Sequence, residues 1–318
     1  MRRFLAISFI WLASIIPAAA QTYPRGPIKV LCSFAAGSGA DVIVRFFANK
    51  LAEQSKATVI VENRVGAQGN IGTAAVAHAR PDGQTILITA NTVLAAAPHL
   101  FKDLGWDPRK DFAPVGMLAR LSFVFAVDAK SSMKSMDDLV QELQKSGEKG
   151  FYGSTVNTGI VAAELFKAQK NLSTQRIPFK DVSDALGGLL QGEVTYIIYD
   201  TPWVLGNARA GKIRPLALTS KFRSSSFADV PTMAELGYKD YDLTPWWGVV
   251  APAGTPEAIV KQLTAWFAQI TAAPDTKAFL NKIAADPYPG TPDDMKAQLE
   301  SDFKAWGDYV RLANIPVQ

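Results

Sequence analysis

Short apolar runs alternate with amphipathic stretches and Gly-rich loops along the first ninety residues, and this alternation limits the fold more than any other feature. Residues 28–33 (Ile-Lys-Val-Leu-Cys-Ser) read as a buried strand, residues 34–41 as a loop, and the stretch to about Glu53 as a helix. Val42, Phe46, Ala48, Leu51 and Ala52 are spaced to give that helix a buried side. Residues 58–61 form a second strand, 71–79 a second helix and 85–89 a third strand, with a turn at Pro81-Asp82-Gly83. A strand-helix-strand-helix-strand order requires a parallel sheet with crossover helices.

The pattern returns farther on. Strands are expected at 122–127, 150–154, 174–178, 194–199, 213–219 and 246–251. Helices are expected after Ser135 as N-cap, from Gly159 to about Gln169, and at 183–191, 256–272 and 291–312. Residues 220–244 carry no pattern and read as a connection between domains. The 318-residue length suits two domains of about 100–200 residues each. Cys32 is the one cysteine, so stability rests on packing, not on an internal disulfide.

The chain start stands outside this pattern. Arg2 and Arg3 precede an apolar run from Phe4 to Ile16, then Pro17 and Ala18-Ala19-Ala20. A basic start, a short apolar core and an A-x-A end make a secretory signal peptide over residues 1–20. The run is shorter than the roughly 20 residues that span a bilayer. No cysteine sits at the cut to carry a lipid. The mature protein is therefore expected in the periplasm, without membrane insertion. Net charge is +4, and loss of Arg2 and Arg3 leaves +2. Such a balance gives no reason to expect nucleic acid or an anionic membrane as partner.

Catalytic inventory is thin. His78 and His99 have no second metal-ligand type at a usual spacing, and Cys32 lies mid-strand as a small hydrophobe. There is no G-x-S-x-G elbow and no P-loop, so neither a metal nor a cofactor is expected. Two loops stand out instead. Gly37-Ser38-Gly39 joins a strand to a helix and offers free amides to an anion. An ordinary tight turn fits these residues equally well, and Asp41 would compete for the same amides as a cap. Val42 stands where the third Rossmann glycine would be, which excludes dinucleotide binding. Ser154-Thr155-Val156-Asn157-Thr158-Gly159 is the matching loop in the second half. Together the two suggest helix N-termini facing one another across a cleft, holding a carboxylate by neutral donors. Polar contacts are expected from Ser38, Ser154, Thr155, Asn157 and Thr158, with the backbone of Gly37 and Gly39. Thr89 and Asn91 end the third strand and should line the same cleft. The third glycine cluster, residues 63–72, lacks the Lys and Ser/Thr of a P-loop and reads as structural.

At these residues the chain resembles the Bug family, the periplasmic solute-binding proteins of tripartite tricarboxylate transporters. The matching pieces are Tyr23-Pro24, Phe34-Ala35-Ala36-Gly37 with Asp41, Val61-Glu62-Asn63-Arg64, and Gly66-Ala67 with Gly69-Asn70-Ile71-Gly72. Pro81-Asp82-Gly83, Gln191-Gly192-Glu193-Val194, Ala210-Gly211-Lys212-Ile213-Arg214, Val230-Pro231-Thr232 and Ala251-Pro252-Ala253-Gly254-Thr255-Pro256 follow in order. The resemblance implies a two-lobed α/β Venus-flytrap fold, type II-like, each lobe a mainly parallel sheet flanked by helices. Residues 21–123 plus 247–318 would form lobe 1, residues 124–246 lobe 2, with hinge strands near 123–127 and 246–250. It further implies a monomeric receptor that binds a small organic acid and passes it to integral membrane permease subunits. A sensor docking on a signalling receptor is the alternative. An enzyme on the same fold, with Asp41 or Asp200 as its titratable group, is the third reading. Departures are Ile160-Val161 in place of the family's His-Leu, and Phe179 in place of tyrosine in Pro-Tyr-Lys-Gly. With Phe34 and Trp203, Phe179 would form apolar walls suited to a bulky or aromatic acid. Asp200 would need a proton, a water or a ligand amine to sit near an anion.

Overall fold

The computed structural model describes residues 23–239 and 241–317, so the expected signal peptide lies outside the described residues. The first section holds β1 (Ile28–Cys32), α1 (Gly39–Ser55), β2 (Val59–Asn63), α2 (Asn70–Ala77), β3 (Thr85–Ala90), α3 (Ala97–Leu100) and β4 (Phe112–Arg120). The middle holds β5 (Phe123–Asp128), α4 (Met136–Ser146), β6 (Phe151–Gly153), α5 (Asn157–Lys170) and β7 (Gln175–Ile177). It continues through α6 (Val182–Gln191), β8 (Tyr196–Asp200), α7 (Thr201–Arg209) and β9 (Ile213–Leu218). The last section holds β10 (Trp246–Pro252), α8 (Glu257–Ala272), α9 (Pro274–Lys282), β11 (Asp286–Gly290) and α10 (Pro292–Leu312).

These strands build two sheets, β11-β4-β10-β3-β1-β2 and β7-β6-β8-β5-β9. Each is mixed, with four strands running one way: β1, β2, β3 and β4 in the first sheet and β6, β7, β8 and β9 in the second. Only β1 with β2 and β3, and β6 with β7 and β8, pair parallel. β10 runs against β3 and β4, β11 against β4, and β5 against β8 and β9. The cause is the double crossing. A strand that arrives from the other sheet enters at the carboxyl ends of the parallel strands and must run against them.

The crossings are tied side by side. Leu121 and Ser122 join β4 to β5, and residues 219–245 bring the chain back from β9 to β10. Leu121 N–H donates to Pro245 O (2.9 Å), Leu243 N–H to Thr219 O (3.0 Å) and Thr219 N–H to Phe123 O (2.9 Å). Ser122, Thr219 and Ser220 are fully buried there. Ser122 Oγ accepts from Ser220 N at 3.1 Å, and Thr219 Oγ1 donates to Leu243 O at 2.8 Å. Buried polar groups are thus satisfied where the chain passes between sheets.

Five elements, α3, β4, α7, α9 and β11, have no counterpart in the sequence reading. In β4 Pro114 has no N–H to give, and it sits beside a bulge at Val115, opposite Val249 and Val250 of β10. β11, with Pro287 and Pro289, survives as an edge strand. α7 and α9 each begin with a proline in the first turn. The buried side of α1 is also rotated from expectation. Ile43, Val44, Phe47, Ala48 and Leu51 are buried, while Val42 is 41% exposed. Phe46 turns toward α9 and stacks on Phe279 at 3.9 Å. No helix among the described residues is long and apolar enough to cross a membrane.

Candidate functional site

The loop after β1 is organised by an anion of its own. Ser38 caps α1, its Oγ accepting from Asp41 N at 3.2 Å. Asp41 is buried, and its carboxylate accepts from Gly37 N (2.8 Å), Arg45 Nε (2.8 Å) and Asn63 Nδ2 (2.7 Å). Burial raises its pKa, but Arg45, Asn63 and the Gly37 amide outweigh that and hold it at about 2. Ser38, not Asp41, therefore caps the helix, and Asp41 takes the Gly37 amide ahead of it. Gly37, Ser38, Gly39 and Asp41 shape the loop from behind and are not among the residues that line the cleft it borders.

That cleft has a volume of about 550 Å³ and lies between the two sheets. Of the expected residues, Phe34, Thr155, Asn157 and Thr158 line it. Thr89 and Asn91 point their side chains into other contacts. Thr89 Oγ1 lies 3.2 Å from Ser33 Oγ, and Asn91 Nδ2 donates to Asp302 Oδ2 at 2.6 Å. Ser154 is buried under the second loop, its Oγ 3.1 Å from Ile198 O.

Of the expected aromatic walls, Phe34 lines the cleft, whereas Phe179 and Trp203 pack elsewhere. Phe179 packs inside the second lobe, where Gly153 and Gly188 leave room for its ring, and does not line the cleft. Trp203 packs against Tyr199 with ring centres 4.9 Å apart, also outside the lining. Asp200 caps α7 by accepting from Trp203 N at 3.0 Å. Burial pushes its pKa up, opposed by that amide. Asp41 and Asp200 are thus both committed to capping and loop structure.

A loop that the sequence reads as structural, and segments it does not single out, complete the cleft. The loop at residues 66–69 has positive φ at Gly66, Ala67, Gln68 and Gly69, so the chain is held in a tight left-handed run that glycine makes accessible. This folds Val65 and Gln68 onto the cleft. The glycine cluster was the visible signal; the absence of a P-loop lysine hid it. Thr92–Ala96 continues from β3 as a π-helical turn and contributes Thr92, Val93 and Ala96. Such turns recur at functional sites. Trp306 arrives from α10 and Leu100 from α3. No lining residue carries a charge.

One hydrogen bond spans the cleft. Asn157 Nδ2, on the first turn of α5, donates to Gln68 Oε1 at 3.0 Å. An exposed bond of this kind contributes about 1 kcal/mol. Asn157→Ala is expected to leave the melting temperature nearly unchanged and to weaken ligand binding by about tenfold or less, measured by titration calorimetry.

Two α/β lobes around an uncharged cleft at the carboxyl ends of their parallel strands define a solute-binding protein of the periplasmic type. The family described as "Tripartite tricarboxylate transporter family receptor" matches residues 43–315. The chain belongs to this family. It is 33% identical to BugT of Bordetella pertussis over 320 residues, covering 98% of this chain and 97% of that one. An R. palustris protein solved with adipate shares 30% identity and a TM-score of 0.81, covering 93% of this chain and 100% of that one. MatC from Rhodopseudomonas palustris, solved with bound malate, shares 25% identity and a TM-score of 0.74, with 91% and 100% covered. The periplasmic binding protein BugD gives 27% and 0.76, with 93% and 100% covered.

Proposed function

We propose that this protein is a periplasmic receptor that closes around a small organic carboxylate and delivers it to the permease subunits of a tripartite transporter. Residues 21–123 plus 247–318 and residues 124–246 are the proposed moving bodies. The observation that carries the reading is the cleft itself, about 550 Å³ and uncharged, with hydroxyls and amides at Thr92, Thr155, Asn157 and Thr158. Its size falls in the usual range for small-molecule sites. Phe34, Val65, Leu100 and Trp306 give the same cleft apolar walls. This composition favours an acid with an apolar body over a densely charged tricarboxylate. The adipate and malate held by the two R. palustris proteins support the carboxylate class. The family's description as transporter receptors supports the permease partner. The signal-like residues 1–20 support export.

A thermal-shift screen of the mature protein tests this. A carboxylate at about 100 times its Kd should add about 2.7 kcal/mol to folded-state stability. Aliphatic and aromatic acids with one or two carboxylates should give shifts, and citrate a smaller one. No shift with any carboxylate at millimolar concentration would overturn the reading.

A further inference from the structure

Beside the cleft lies a smaller cavity of about 30 Å³, lined in part by Asn91, Thr158, Asp242, Thr244 and Asp302. It shares Thr92, Thr158 and Trp306 with the main cleft. Asp302 stands one helical turn before Trp306 on α10. Its Oδ2 accepts from Asn91 Nδ2 (2.6 Å) and Trp246 Nε1 (2.8 Å), and its Oδ1 from Gln298 Nε2 (2.8 Å). The two donors to Oδ2 are fixed. An indole N–H only donates. Asn91 cannot flip, because its Oδ1 accepts from Trp246 N at 3.2 Å. Oδ2 of Asp302 is thus held as an acceptor on two sides.

Ionised, Asp302 lacks a countercharge. No Lys, Arg or His among the described residues pairs with Asp302. The second acid of the cavity, Asp242, already has Lys221 at 3.2 Å and accepts from Thr244 Oγ1 at 2.5 Å. Tyr309 Oη donates to the Asp242 carbonyl at 3.4 Å. One negative charge remains, and both burial and Asp242 disfavour it, against the three donors. A separate observation comes from the other lobe. Thr158 is 7% exposed, lines this cavity, and has no side-chain hydrogen bond among the described residues.

A buried charge is retained when it is paired. Here the need is sharper, because an anionic ligand in the adjoining cleft would face Asp302 across Thr92, Thr158 and Trp306. We propose that the small cavity is a monovalent-cation site of sodium size, held by oxygens of Asp302, Asp242 and Thr158, and filled together with the carboxylate. A space of about 30 Å³ matches one water or one small ion. Oxygen donors select a hard cation. One uncompensated charge sets its valence. The ion would join α10 of the first lobe to α5 of the second and so favour closure.

The cation site stands on its own geometry, whereas its coupling to ligand rests on the carboxylate reading. The experiment therefore has two arms. Without carboxylate, melting is compared in sodium chloride and in equal choline chloride. Sodium is expected to raise the melting temperature by about 3 °C. Thr158→Val and Asp302→Asn should each abolish that increment. Should Asp302→Asn fail to fold, the near-isosteric Thr158→Val carries the test. Equal melting of the wild type in both salts overturns the proposal. A melting temperature that responds to pH between 5 and 7 but not to sodium also overturns it, and assigns a proton to Asp302 instead. In the second arm, affinity for an acid that shifts melting should be about tenfold tighter in sodium. Carboxylate binding with no sodium effect sinks this inference alone. A sodium effect with no carboxylate binding sinks the receptor reading and leaves the cation site standing.

Discussion

Asp41→Ala is expected to cost the folded state about 2 kcal/mol and to unmake the loop that follows β1. The carboxylate it removes is 2% exposed and holds three elements together. It binds Gly37 N in the loop, Arg45 Nε on α1 and Asn63 Nδ2 at the end of β2. Asn63 Nδ2 in turn donates to Phe34 O at 3.0 Å, and Phe34 lines the cleft. Without the carboxylate, the exposed Gly37 amide returns to water, while the half-buried Asn63 amide loses an acceptor at about 1–3 kcal/mol. Arg45 is 46% exposed and returns to water at little cost. Asp41→Asn should fail almost as badly, because an amide cannot accept from three donors at once. The loss is read from chemical denaturation.

The same contacts fix a pH dependence. The folded-state pKa of Asp41, about 2, lies below its ordinary 3.8. Its contribution is therefore complete above pH 4 and is lost as pH falls from about 4 to 2. The difference corresponds to about 2 kcal/mol. Wild type should lose this stability across that window, and Asp41→Ala should lack the corresponding slope.

Asp41 also marks where local sequence stops being sufficient. Strand, Gly-rich loop and helix are written in contiguous residues, so the loops at 34–41 and 154–159 were legible. The residues that satisfy them are not contiguous. Asn63 reaches Asp41 from 22 positions away, and Asp302 reaches Asn91 from 211. Local spacing cannot reveal that these partners consume donors which otherwise look free for a ligand. Phe179 packs away from the cleft for a related reason. Its room is made by Gly153 and Gly188, glycines on two other elements whose meeting is a tertiary event. Trp306 and Leu100 were missed because helices from distant parts of the chain carry them to the cleft. β4 was hidden by Pro114, which reads locally as a strand breaker yet is tolerated beside the bulge at Val115. Bug-family membership was legible because its many short pieces survive in order even where individual contacts differ.

Gly159→Ala is expected to separate the two Gly-rich loops by mechanism. A Cβ on Gly159 would stand 2.2 Å from Ser154 Oγ and 2.7 Å from Ile198 O. The first neighbour is a short buried side chain, itself bonded to Ile198 O, and the second is backbone of a strand paired on both sides. Neither can yield without moving β8 or lifting the first turn of α5. Overpacking of this kind costs about 1–3 kcal/mol. Lifting that turn carries Asn157 and Thr158 out of register with Gln68 and Trp306, so ligand affinity should fall by about thirtyfold even where the fold survives. Gly39 is the matching residue at the start of α1, and it behaves oppositely. Nothing lies within 4 Å of the Cβ it would gain, and its φ is not left-handed. Gly39→Ala should therefore leave binding unchanged and stabilise the fold by up to about 1 kcal/mol, as expected for Gly replaced in a helix. Denaturation and calorimetry on the two variants decide between structures for the site. If glycines at both helix starts served to cradle an anion, both substitutions would weaken binding. A loss confined to Gly159→Ala means that the first loop shapes the cleft through Asp41 while the second touches the ligand. A loss with Gly39→Ala would return the α1 amides to the list of ligand contacts.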